Sequence, residues 1–419
     1  MKVLVVGNGG REHALAWALL QSPNIEQVFC TPGNAGTATM NNCHNLPLAV
    51  TDFSGIAQAV REHQLDLVVV GPEVPLSEGI VDYLQQQQIP VFGPTRLGAE
   101  IESSKSWAKE IMTQAQVPTA VAQTFTDAQQ AIAYIQQVGA PIVVKADGLA
   151  AGKGVIVAAS IDEAIAAVTE LLATHSGKLV IEEYLTGAEV SVLAVTDGQT
   201  IRPLIPAQDH KRIGEGDTGK NTGGMGAYAP VPLVTPELME RIEQEILQPT
   251  LKALQQRGID YRGVLYAGLM ITPEGEPKVI EFNCRFGDPE TQVVLPLLDT
   301  PLDEILLACV EQKLAALPPI KWQPGSAVCV VAASGGYPDA YQKGKSISGL
   351  NTAAQQGAVI FHAGTKLEQE SVMTDGGRVL GVTALGKDFE QARAIAYQTL
   401  TQIEFEDMYY RRDIGHQYT

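Results

Sequence analysis

The sequence predicts an α/β protein of two or three domains, and three observations support this fold class. The chain has 419 residues, enough for two or three domains of about 150 residues each. Short β-rich segments alternate with helical segments over residues 1–100, which is the pattern of a doubly wound parallel sheet. The 40 glycines fit an α/β protein in which many loops present their backbone.

The first hundred residues contain short predicted strands separated by helices that begin near Glu12, Phe53 and Leu76. Three turns at strand ends carry glycine. Because ligands of such sheets bind at the carboxyl ends of strands, we expect these turns to line one pocket. The predicted strands are Lys2–Val6, Gln27–Thr31, Leu65–Val70 and Pro90–Phe92, and the turns are Gly7–Arg11, Pro32–Gly36 and Gly71–Pro75.

The middle of the chain continues the alternation, with helices predicted at about 104–114 and 236–257. Residues 205–230 are rich in Gly, Asp, Lys and Pro and lack hydrophobic periodicity. A connection of that length is usually functional or disordered, and its specific sequence favours a functional role. The predicted strands here are Pro141–Lys145, Gly154–Ala158, Leu179–Glu183, Glu189–Thr196 and Gly263–Ile271.

A change of composition near Pro318–Pro324 predicts a domain boundary, followed by a small α+β domain. Its predicted elements are strands Ala327–Ala332, Val359–His362 and Arg378–Gly386, and a helix from Asp388 to about Ile403. We therefore expect an N-terminal domain at 1–102, a central domain at 103–325 with a smaller lobe at about 119–188, and a C-terminal domain at 326–419.

Charge and cysteine content exclude several classes of protein. The net charge of −18 argues against binding nucleic acid or an anionic membrane, so an anionic substrate must meet a local basic pocket. The five cysteines are widely spaced and fit reduced thiols in a cytoplasmic protein. The N-terminus begins with a strand, and no apolar run approaches about 18 residues, so we expect neither a signal peptide nor a membrane span.

The segment Val279–Thr291 carries the strongest chemical pattern. Its first residues predict a strand in which Glu281 and Asn283 share one face. A carboxylate beside an amide oxygen suits Mg²⁺, and Arg285 follows at the next position on that side, where its planar fork suits a carboxylate or phosphate. The alternative is a strand end in which Arg285 makes a structural ion pair with Asp288 or Glu290.

The turn Gly7–Gly10 follows a strand and opens a helix, which aims backbone N–H groups at an anion. Glu12 stands where the dinucleotide fingerprint needs its third glycine, which disfavours a nicotinamide-dependent oxidoreductase. A phosphate or small polar ligand fits this turn, and a tight turn without a ligand is the alternative.

Two further segments suggest a nucleotide. Lys145 ends a strand and precedes a loop with Gly152 and Lys153 that can fold over a polyphosphate, although it lacks the Walker A pattern. Glu182 and Glu183 end another strand, where backbone groups can pair with an adenine edge. Ordinary exposed loops are the alternative at both places.

The order of these features resembles the ATP-grasp ligases, and within them the glycinamide ribonucleotide synthetase family. The resemblance covers nearly the whole chain and extends to Arg411–Gly415. It implies a central ATP-grasp fold of two α+β lobes between the two other domains. The segments that carry it are Gly7–Ala14, Pro32–Thr37, Gly71–Glu73, Lys145–Val155, Gln208–Arg212, Asn221–Ala227, Glu281–Thr291 and Phe361–Lys366.

The resemblance implies that ATP phosphorylates glycine and that 5-phospho-β-D-ribosylamine attacks the glycyl phosphate, in de novo purine biosynthesis. ATP and Mg²⁺ or Mn²⁺ are the implied cofactors, the partners are these small molecules, and the protein is a monomer or weak homodimer. The implied residues are Arg285, Lys145 and Asp209 for catalysis; Glu281 and Asn283 for metal; Lys105, Lys145, Gly152, Lys153, Glu182, Glu183, Leu185 and Glu189 for ATP; and Gly9, Gly10, Arg11, Gly71, Glu73, Lys211, Gly224, Asp288 and Lys366 for substrate.

One segment departs from the family pattern: Leu172–Lys178 is several residues shorter than the usual glycine-rich insertion. That insertion resembles part of a lid over the nucleotide, so the short loop leaves open a nucleotide-binding protein without catalysis. A further rival, besides the oxidoreductase, is another ATP-grasp carboxylate–amine ligase or carboxylase on the same scaffold, which the segments Gln208–Arg212 and Asn221–Ala227 disfavour.

Overall fold

The computed structural model describes residues 1–149, 154–174 and 177–418, and it has the predicted α/β fold. Near the N-terminus, parallel strands run in the order β3-β2-β1-β4-β5, so the order reverses between β1 and β4. The strands are β1 Lys2–Gly7, β2 Gln27–Pro32, β3 Cys43–Asn45, β4 Leu67–Val70 and β5 Val91–Phe92. The helices are α1 Gly10–Leu20, α2 Ala35–Thr39, α3 Phe53–His63, α4 Glu73–Glu78 and α5 Ile80–Gln86.

The apolar runs of this sheet explain its position between two helical layers. Val3, Leu4, Val5 and Val6 are all fully buried. Leu4 and Val6 pack into one hydrophobic cluster, and Val3 and Val5 pack into another. Because side chains alternate between faces of a strand, an uninterrupted apolar strand requires cover on both faces.

The next region begins with two helices and continues into a small antiparallel sheet of order β6-β9-β7-β8. One face of this sheet packs on two helices around a separate apolar cluster that includes Ile135, Leu171 and Ile181. The elements are α6 Arg96–Ser103, α7 Lys105–Ala115, β6 Ala122–Phe125, α8 Ala128–Val138, β7 Ile142–Ala146, β8 Val155–Ala158, α9 Ile161–Thr174 and β9 Leu179–Glu183.

A second antiparallel sheet of order β11-β10-β16-β17 follows, and it carries the Glu281 segment. A bulge leaves Ile280 without a partner, because Gly268 pairs with Glu281 and Leu269 pairs with Val279. The elements are β10 Ala188–Asp197, β11 Ile201–Pro203, β12 Gln208–Asp209, β13 Arg212–Gly214, β14 Thr218–Asn221, β15 Gly226–Ala229, α10 Pro236–Ile242, a π-helical turn Glu243–Leu247, α11 Gln248–Gln256, β16 Arg262–Ile271, β17 Pro277–Asn283, α12 Thr291–Val294, a 3₁₀ turn Leu295–Leu297, α13 Leu302–Val310 and a 3₁₀ turn Leu314–Ala316.

The C-terminal region forms a sheet of order β12-β15-β18-β22-β19, with β23 also paired to β18. β12 and β15 belong to the segment 205–230, so this sheet continues across the expected boundary at residue 325. Two hairpins, β13-β14 and β20-β21, stand apart from it. The remaining elements are β18 Ser326–Ser334, α14 Leu350–Ala353, a 3₁₀ turn Ala354–Gln356, β19 Ala358–His362, β20 Thr365–Glu368, β21 Ser371–Thr374, β22 Arg378–Gly386, α15 Phe389–Leu400 and β23 Met408–Tyr409.

Most predicted elements are confirmed, with some shifted bounds; the helix expected near Leu76, for example, begins at Glu73. The helix expected over 236–257 contains the π-helical turn Glu243–Leu247. This turn ends two residues before Pro249, whose missing N–H interrupts regular α-helical bonding. In the described ranges, none of the helices combines the length and the apolar character needed to cross a bilayer.

Candidate active site

A cavity of about 1160 Å³ is lined by the N-terminal region, both four-stranded sheets and the C-terminal region. It brings together residues that are far apart in the sequence. The predicted site residues that line it are Arg11, Glu73, Lys105, Lys145, Glu182, Glu183, Leu185, Glu189, Asp209, Lys211, Glu281, Asn283, Arg285 and Asp288.

Five predicted residues that the structure describes are not part of this lining, namely Lys366, Gly9, Gly10, Gly71 and Gly224. Lys366 lies on the exposed β20-β21 hairpin, where its Nζ is 2.5 Å from Glu368 Oε1. Gly152 and Lys153 fall outside the residues that the structure describes. The remaining ones, Gly9, Gly10, Gly71 and Gly224, pack behind the cavity wall.

Two lysines share one buried carboxylate at the edge of the small sheet. Lys145 on β7 places its Nζ 2.8 Å from Glu182 Oε2, and Lys109 on α7 places its Nζ 3.2 Å from Glu182 Oε1. The side chains of Lys145 and Glu182 are only 5% and 4% exposed. One carboxylate is therefore paired with two ammonium groups, and the three side chains together carry a net positive charge at the cavity.

Lys105 adds a third ammonium group beside them. It is the first residue of α7, and its Nζ donates to the carbonyl oxygen of Gly148 at 2.8 Å. Burial lowers the pKa of Lys105; Glu281 opposes this shift, and the charge of Lys145 adds to it. Because the ammonium group is poorly solvated and close to another cation, an anionic ligand would be stabilised there.

Glu281 lies close to these lysines, since Lys145 Nζ donates to the carbonyl of the neighbouring Ile280 at 3.1 Å, and a fourth cation lies beside it. Lys211 Nζ is 3.1 Å from Glu189 Oε2 and 3.5 Å from Glu281 Oε1. Burial tends to raise the pKa of Glu281, but Lys211, Lys145 and Lys105 outweigh it and hold the pKa below its usual value. The carboxylate is therefore ionised at neutral pH.

The predicted metal ligands fit a magnesium ion that also binds phosphate. Glu281 and Asn283 both line the cavity and offer oxygen atoms, and Glu281 is ionised. Mg²⁺ typically uses one or two protein carboxylates together with water and substrate phosphates. Within the described ranges there is no group of three or more His, Cys, Asp or Glu side chains arranged for a metal.

Arg285 is held by two glutamates from the N-terminal half of the chain. Its Nη2 donates to Glu102 Oε1 at 2.9 Å, and its Nε lies 3.3 Å from Glu73 Oε2. These partners differ from Asp288 and Glu290, the partners that the structural-ion-pair alternative named. Arg285 lines the cavity with its side chain 18% exposed, so the two carboxylates orient the guanidinium without removing it from the cavity.

The first glycine turn is already bonded to carboxylates of this chain. The backbone N–H of Gly9 donates to Glu12 at 2.6 Å, and that of Arg11 donates to Asp288 at 3.4 Å. A side chain at Gly10 would reach Asp288 and Gln292. A phosphate bound here would have to compete with these acceptors, and of the three predicted residues Gly9, Gly10 and Arg11 only Arg11 reaches the cavity.

Glu12 explains why the turn differs from a dinucleotide site. Its side chain fills the crevice between β1 and β4, so any side chain at Gly7 or Gly71 would overlap it. The crevice in which such sheets usually bind a pyrophosphate is thus filled by a carboxylate.

Two buried histidines have structural roles. His13 Nδ1 accepts from the backbone N–H of His362, and His210 Nε2 accepts from the backbone N–H of Gly415.

Several charged residues of the cavity lining were not predicted from the sequence, among them Lys109, Glu102 and Arg378. Lys109 follows Lys105 by one helical turn, and that spacing could have revealed it. Glu102 and Arg378 carry no local signal, because their partners lie elsewhere in the sequence. Arg378 from β22 places its Nη2 3.3 Å from Asp288 Oδ2 and donates through Nη1 to the carbonyl of Asp288 at 2.6 Å.

Comparison with known proteins matches this architecture over the whole chain. The models for the N domain, the ATP-grasp (A) domain and the C domain of phosphoribosylglycinamide synthetase match residues 1–102, 103–291 and 327–417. A phosphoribosylamine–glycine ligase from Nostoc is 64% identical over 421 aligned positions, covering 99% of each chain. The chain belongs to the phosphoribosylglycinamide synthetase family.

Solved structures agree with this assignment. The crystal structure of phosphoribosylamine–glycine ligase from Thermotoga maritima has a TM-score of 0.86 and 35% identity, covering 99% of this chain and 100% of that one. A biotin carboxylase from Campylobacter jejuni, at 15% identity and a TM-score of 0.72, shares the fold. The predicted ATP-grasp architecture of the phosphoribosylglycinamide synthetase family is therefore confirmed, with its large cavity at the junction of the domains.

Proposed function

We propose that this chain is an ATP-dependent carbon–nitrogen ligase that joins glycine to 5-phospho-β-D-ribosylamine. The products are glycinamide ribonucleotide, ADP and phosphate, and the reaction belongs to de novo purine biosynthesis. The observation that carries the proposal is the 64% identity to the Nostoc phosphoribosylamine–glycine ligase over 99% of both chains.

The cavity has the charge distribution that such a reaction requires. A glycine carboxylate must approach a triphosphate, and two unit charges about 4 Å apart repel by roughly 4 kcal/mol at an effective dielectric of about 20. Lys105, Lys145, Lys109 and Lys211 all line the cavity, together with Arg285. Carboxylates such as Glu182, Glu189 and Glu281 line the same cavity, so these cations would offset the repulsion between the reactants together with a divalent metal ion.

The nucleotide is proposed to lie along the two sheets. Lys105 and Lys145 would bind its phosphates, because Lys145 is buried, Lys105 is partly buried and the two charges act on each other. Glu182, Glu183 and Leu185 end β9 or follow it, where the backbone can meet an adenine edge, and Glu189 would hold the ribose. Gly152 and Lys153 are proposed to close over the phosphates.

Glu281 and Asn283 would hold the divalent cation, Mg²⁺ or Mn²⁺, whose chemistry is to screen the phosphate oxygens and withdraw charge from the transferring phosphoryl group. The chain itself provides alignment. Arg285 would fix the glycine carboxylate, since Glu73 and Glu102 hold its guanidinium in place. Because both reacting groups belong to substrates, this positioning is most of the catalysis.

The other substrate would bind between the N-terminal and C-terminal regions. Arg11 and Asp288 line the cavity on that side. We retain the remaining predicted substrate residues as part of this proposal, namely Gly9, Gly10, Gly71, Glu73, Lys211, Gly224 and Lys366, of which Lys366 would have to be brought closer to the cavity.

The direct test is ADP release by the purified protein. We expect release with glycine and phosphoribosylamine together, and little with bicarbonate or with larger amino acids in place of glycine. Release with bicarbonate instead would identify a carboxylase-type ATP-grasp enzyme. Binding of Mg-ATP without any ADP release would indicate a nucleotide-binding protein, and binding of NADH would favour the oxidoreductase.

The domain organisation, the compartment and the oligomeric state belong to the same proposal. We propose domains at 1–102, 103–325 and 326–419, with a lobe at about 119–188 that moves over the nucleotide. We also propose a cytoplasmic monomer or weak homodimer that binds neither nucleic acid nor membrane; its five cysteines are free and buried, which suits a reducing compartment. Sedimentation of the purified chain over a range of concentrations would test the oligomeric state.

A further inference from the structure

One carboxylate in the cavity wall has no role in the electrostatics described above. Asp209, on β12, lines the cavity, and its Oδ1 is buried without a hydrogen-bond partner in the part of the chain that the structure describes. A side chain at Gly224 would come within 2.6 Å of this oxygen. Buried polar atoms are almost always paired, so an unpaired carboxylate oxygen at a cavity suggests a partner that arrives with the substrate.

A second carboxylate lies behind it. Glu290 is 3% exposed, and its Oε1 accepts from Ser191 Oγ at 3.0 Å and from Tyr266 Oη at 2.5 Å. Ser191, which donates to Glu290, lines a small cavity of about 10 Å³ together with Asp209, and the charge of Glu290 acts on Asp209. The two hydrogen bonds hold Glu290 in one orientation beside Asp209.

The charged groups around Asp209 act in opposite directions. Burial raises the pKa of Asp209, and the charge of Glu290 raises it further; Lys211 and Arg378 lower it, and Glu189 raises it. The pKa of Asp209 is therefore raised well above its usual value of 3.8. A carboxylate with a raised pKa binds a proton more strongly than an ordinary one, so this environment suits a carboxylate that accepts a proton during the reaction.

We propose that Asp209 is the base that takes the proton from the attacking amine of phosphoribosylamine, and that Glu290 is a positioning residue acting through Asp209. This inference rests on the proposed function. In the step, the amine nitrogen attacks the carbonyl carbon of glycyl phosphate and forms the C–N bond. The bond from that carbon to the phosphate oxygen breaks, phosphate leaves with the bonding electrons, and one N–H proton passes to the Asp209 carboxylate.

The competing use of Asp209 is to bind the ammonium group of glycine. The two uses affect different halves of the reaction. A base for the second substrate acts only after glycine has been phosphorylated, whereas an ammonium ligand acts when glycine binds. Hydroxylamine separates the two, because it traps an acyl phosphate as a hydroxamate without needing the second substrate.

The test is Asp209→Asn in the full-length protein, with two readouts. We expect amide formation with phosphoribosylamine to fall by roughly 100- to 10,000-fold, as for loss of a general base. We expect glycine-dependent hydroxamate formation to stay within a few-fold of the unaltered protein. Parallel loss of both, with a raised KM for glycine, would assign Asp209 to the ammonium group and overturn the inference, and so would unchanged amide formation.

Glu290→Gln supplies a second, independent readout. Since the Glu290 charge raises the pKa of Asp209, removing it should move the acidic limb of the kcat profile to lower pH while kcat at the plateau falls. If the acidic limb of the pH profile of kcat does not move, Glu290 is removed from the proposal.

The matched control for Asp209→Asn is Asp303→Asn on α13, a 1% exposed aspartate that also has an unpaired Oδ1 but lies outside the cavity lining. It should change neither readout.

These outcomes are separable from failure of the proposed function itself. If the unaltered protein forms neither glycine-dependent ADP nor hydroxamate, the ligase assignment fails. If it forms both and Asp209→Asn still makes the amide at the original rate, only the role of Asp209 fails. An Asp209→Asn variant that does not fold would leave the Glu290→Gln pH profile to decide.

Discussion

Lys145 Nζ lies 2.8 Å from Glu182 Oε2 in a place where both side chains are almost fully buried. Taking two charges out of water costs several kcal/mol per ion, and only close pairing offsets this. Lys109 binds the other oxygen of the same carboxylate at 3.2 Å. The protein therefore maintains an excess positive charge at this end of the cavity at a cost in stability.

Lys145→Met should lower both stability and nucleotide affinity. Lys145→Met leaves Glu182 with only its longer contact to Lys109 at 3.2 Å, so we expect the free energy of unfolding to fall by up to about 3 kcal/mol. Adding Glu182→Gln should lower stability further, because Lys109 then loses its carboxylate partner, and it should not restore Mg-ATP affinity. Urea unfolding and calorimetric titration measure the two effects. Lys313→Met, which breaks an exposed pair with Glu311, is the control and should cost less than about 1 kcal/mol.

Glu281→Gln should remove the effect of the metal on nucleotide binding. The substitution keeps an oxygen in place but removes the negative charge that attracts a divalent cation. We expect Mg²⁺ or Mn²⁺ to strengthen ATP binding to the unaltered protein and to have little effect on the variant. Equilibrium binding with and without metal is the measurement. Glu276→Gln, whose partner is Arg241 on the surface, should behave like the unaltered protein, and an equal metal effect in Glu281→Gln would exclude this carboxylate as a ligand.

Arg285→Lys should reduce kcat/KM for glycine by about 100-fold or more, comparable to losing a donor that stabilises a transition state. Lysine cannot reproduce the planar contacts to Glu102 at 2.9 Å and Glu73 at 3.3 Å. Steady-state kinetics with glycine varied would measure the loss. Arg262→Lys, at a partly exposed pair with Asp260 outside the cavity lining, serves as the control. Normal glycine kinetics in Arg285→Lys would argue against its assigned role.

The sequence predicts the regular elements well where apolar residues run continuously. Leu179–Glu183 and Arg378–Gly386 are strands with the predicted bounds, because their side chains are mostly buried on both sides. Cys43–Asn45 was missed, since a short strand that contains His and Asn has no pattern of its own and forms only by pairing with its neighbour. In 205–230, the pairing of Gly226–Ala229 with a strand one hundred residues later likewise has no local signal.

The site was predictable where one segment carries the chemistry and unpredictable where charges meet across the fold. Glu281, Asn283 and Arg285 lie within five residues of sequence, and all three line the cavity. The partner of Arg285, Glu102, is 183 residues away, so no spacing rule could identify it. The order of the motifs pointed to a known family. Only the three-dimensional arrangement reveals which carboxylate pairs with which cation.

Buried histidines make stability sensitive to mild acid. Burial, aided by the charge of His362, lowers the pKa of His13 to about 3, and burial lowers the pKa of His210 and of His362 to about 4, from an ordinary value of 6.5. The unfolded chain therefore binds protons below about pH 6.5 while the folded chain does not. The stability that neutral histidines contribute is complete above pH 6.5 and is lost progressively as pH falls toward 4, by up to about 1.4 kcal/mol per unit for each residue.

His210→Gln tests this directly, because His210 is 1% exposed and its Nε2 must remain unprotonated to accept from the N–H of Gly415 at 2.9 Å. We expect the variant to be less stable than the unaltered protein at pH 7, but to lose less free energy of unfolding between pH 7 and pH 5. Urea unfolding at both pH values measures the difference. His44→Gln, at an exposed position on β3, should leave the loss between the two pH values unchanged. If His210→Gln loses as much as the unaltered protein, protonation of His210 does not control acid stability, because the proton uptake that drives the loss would have to occur at other groups.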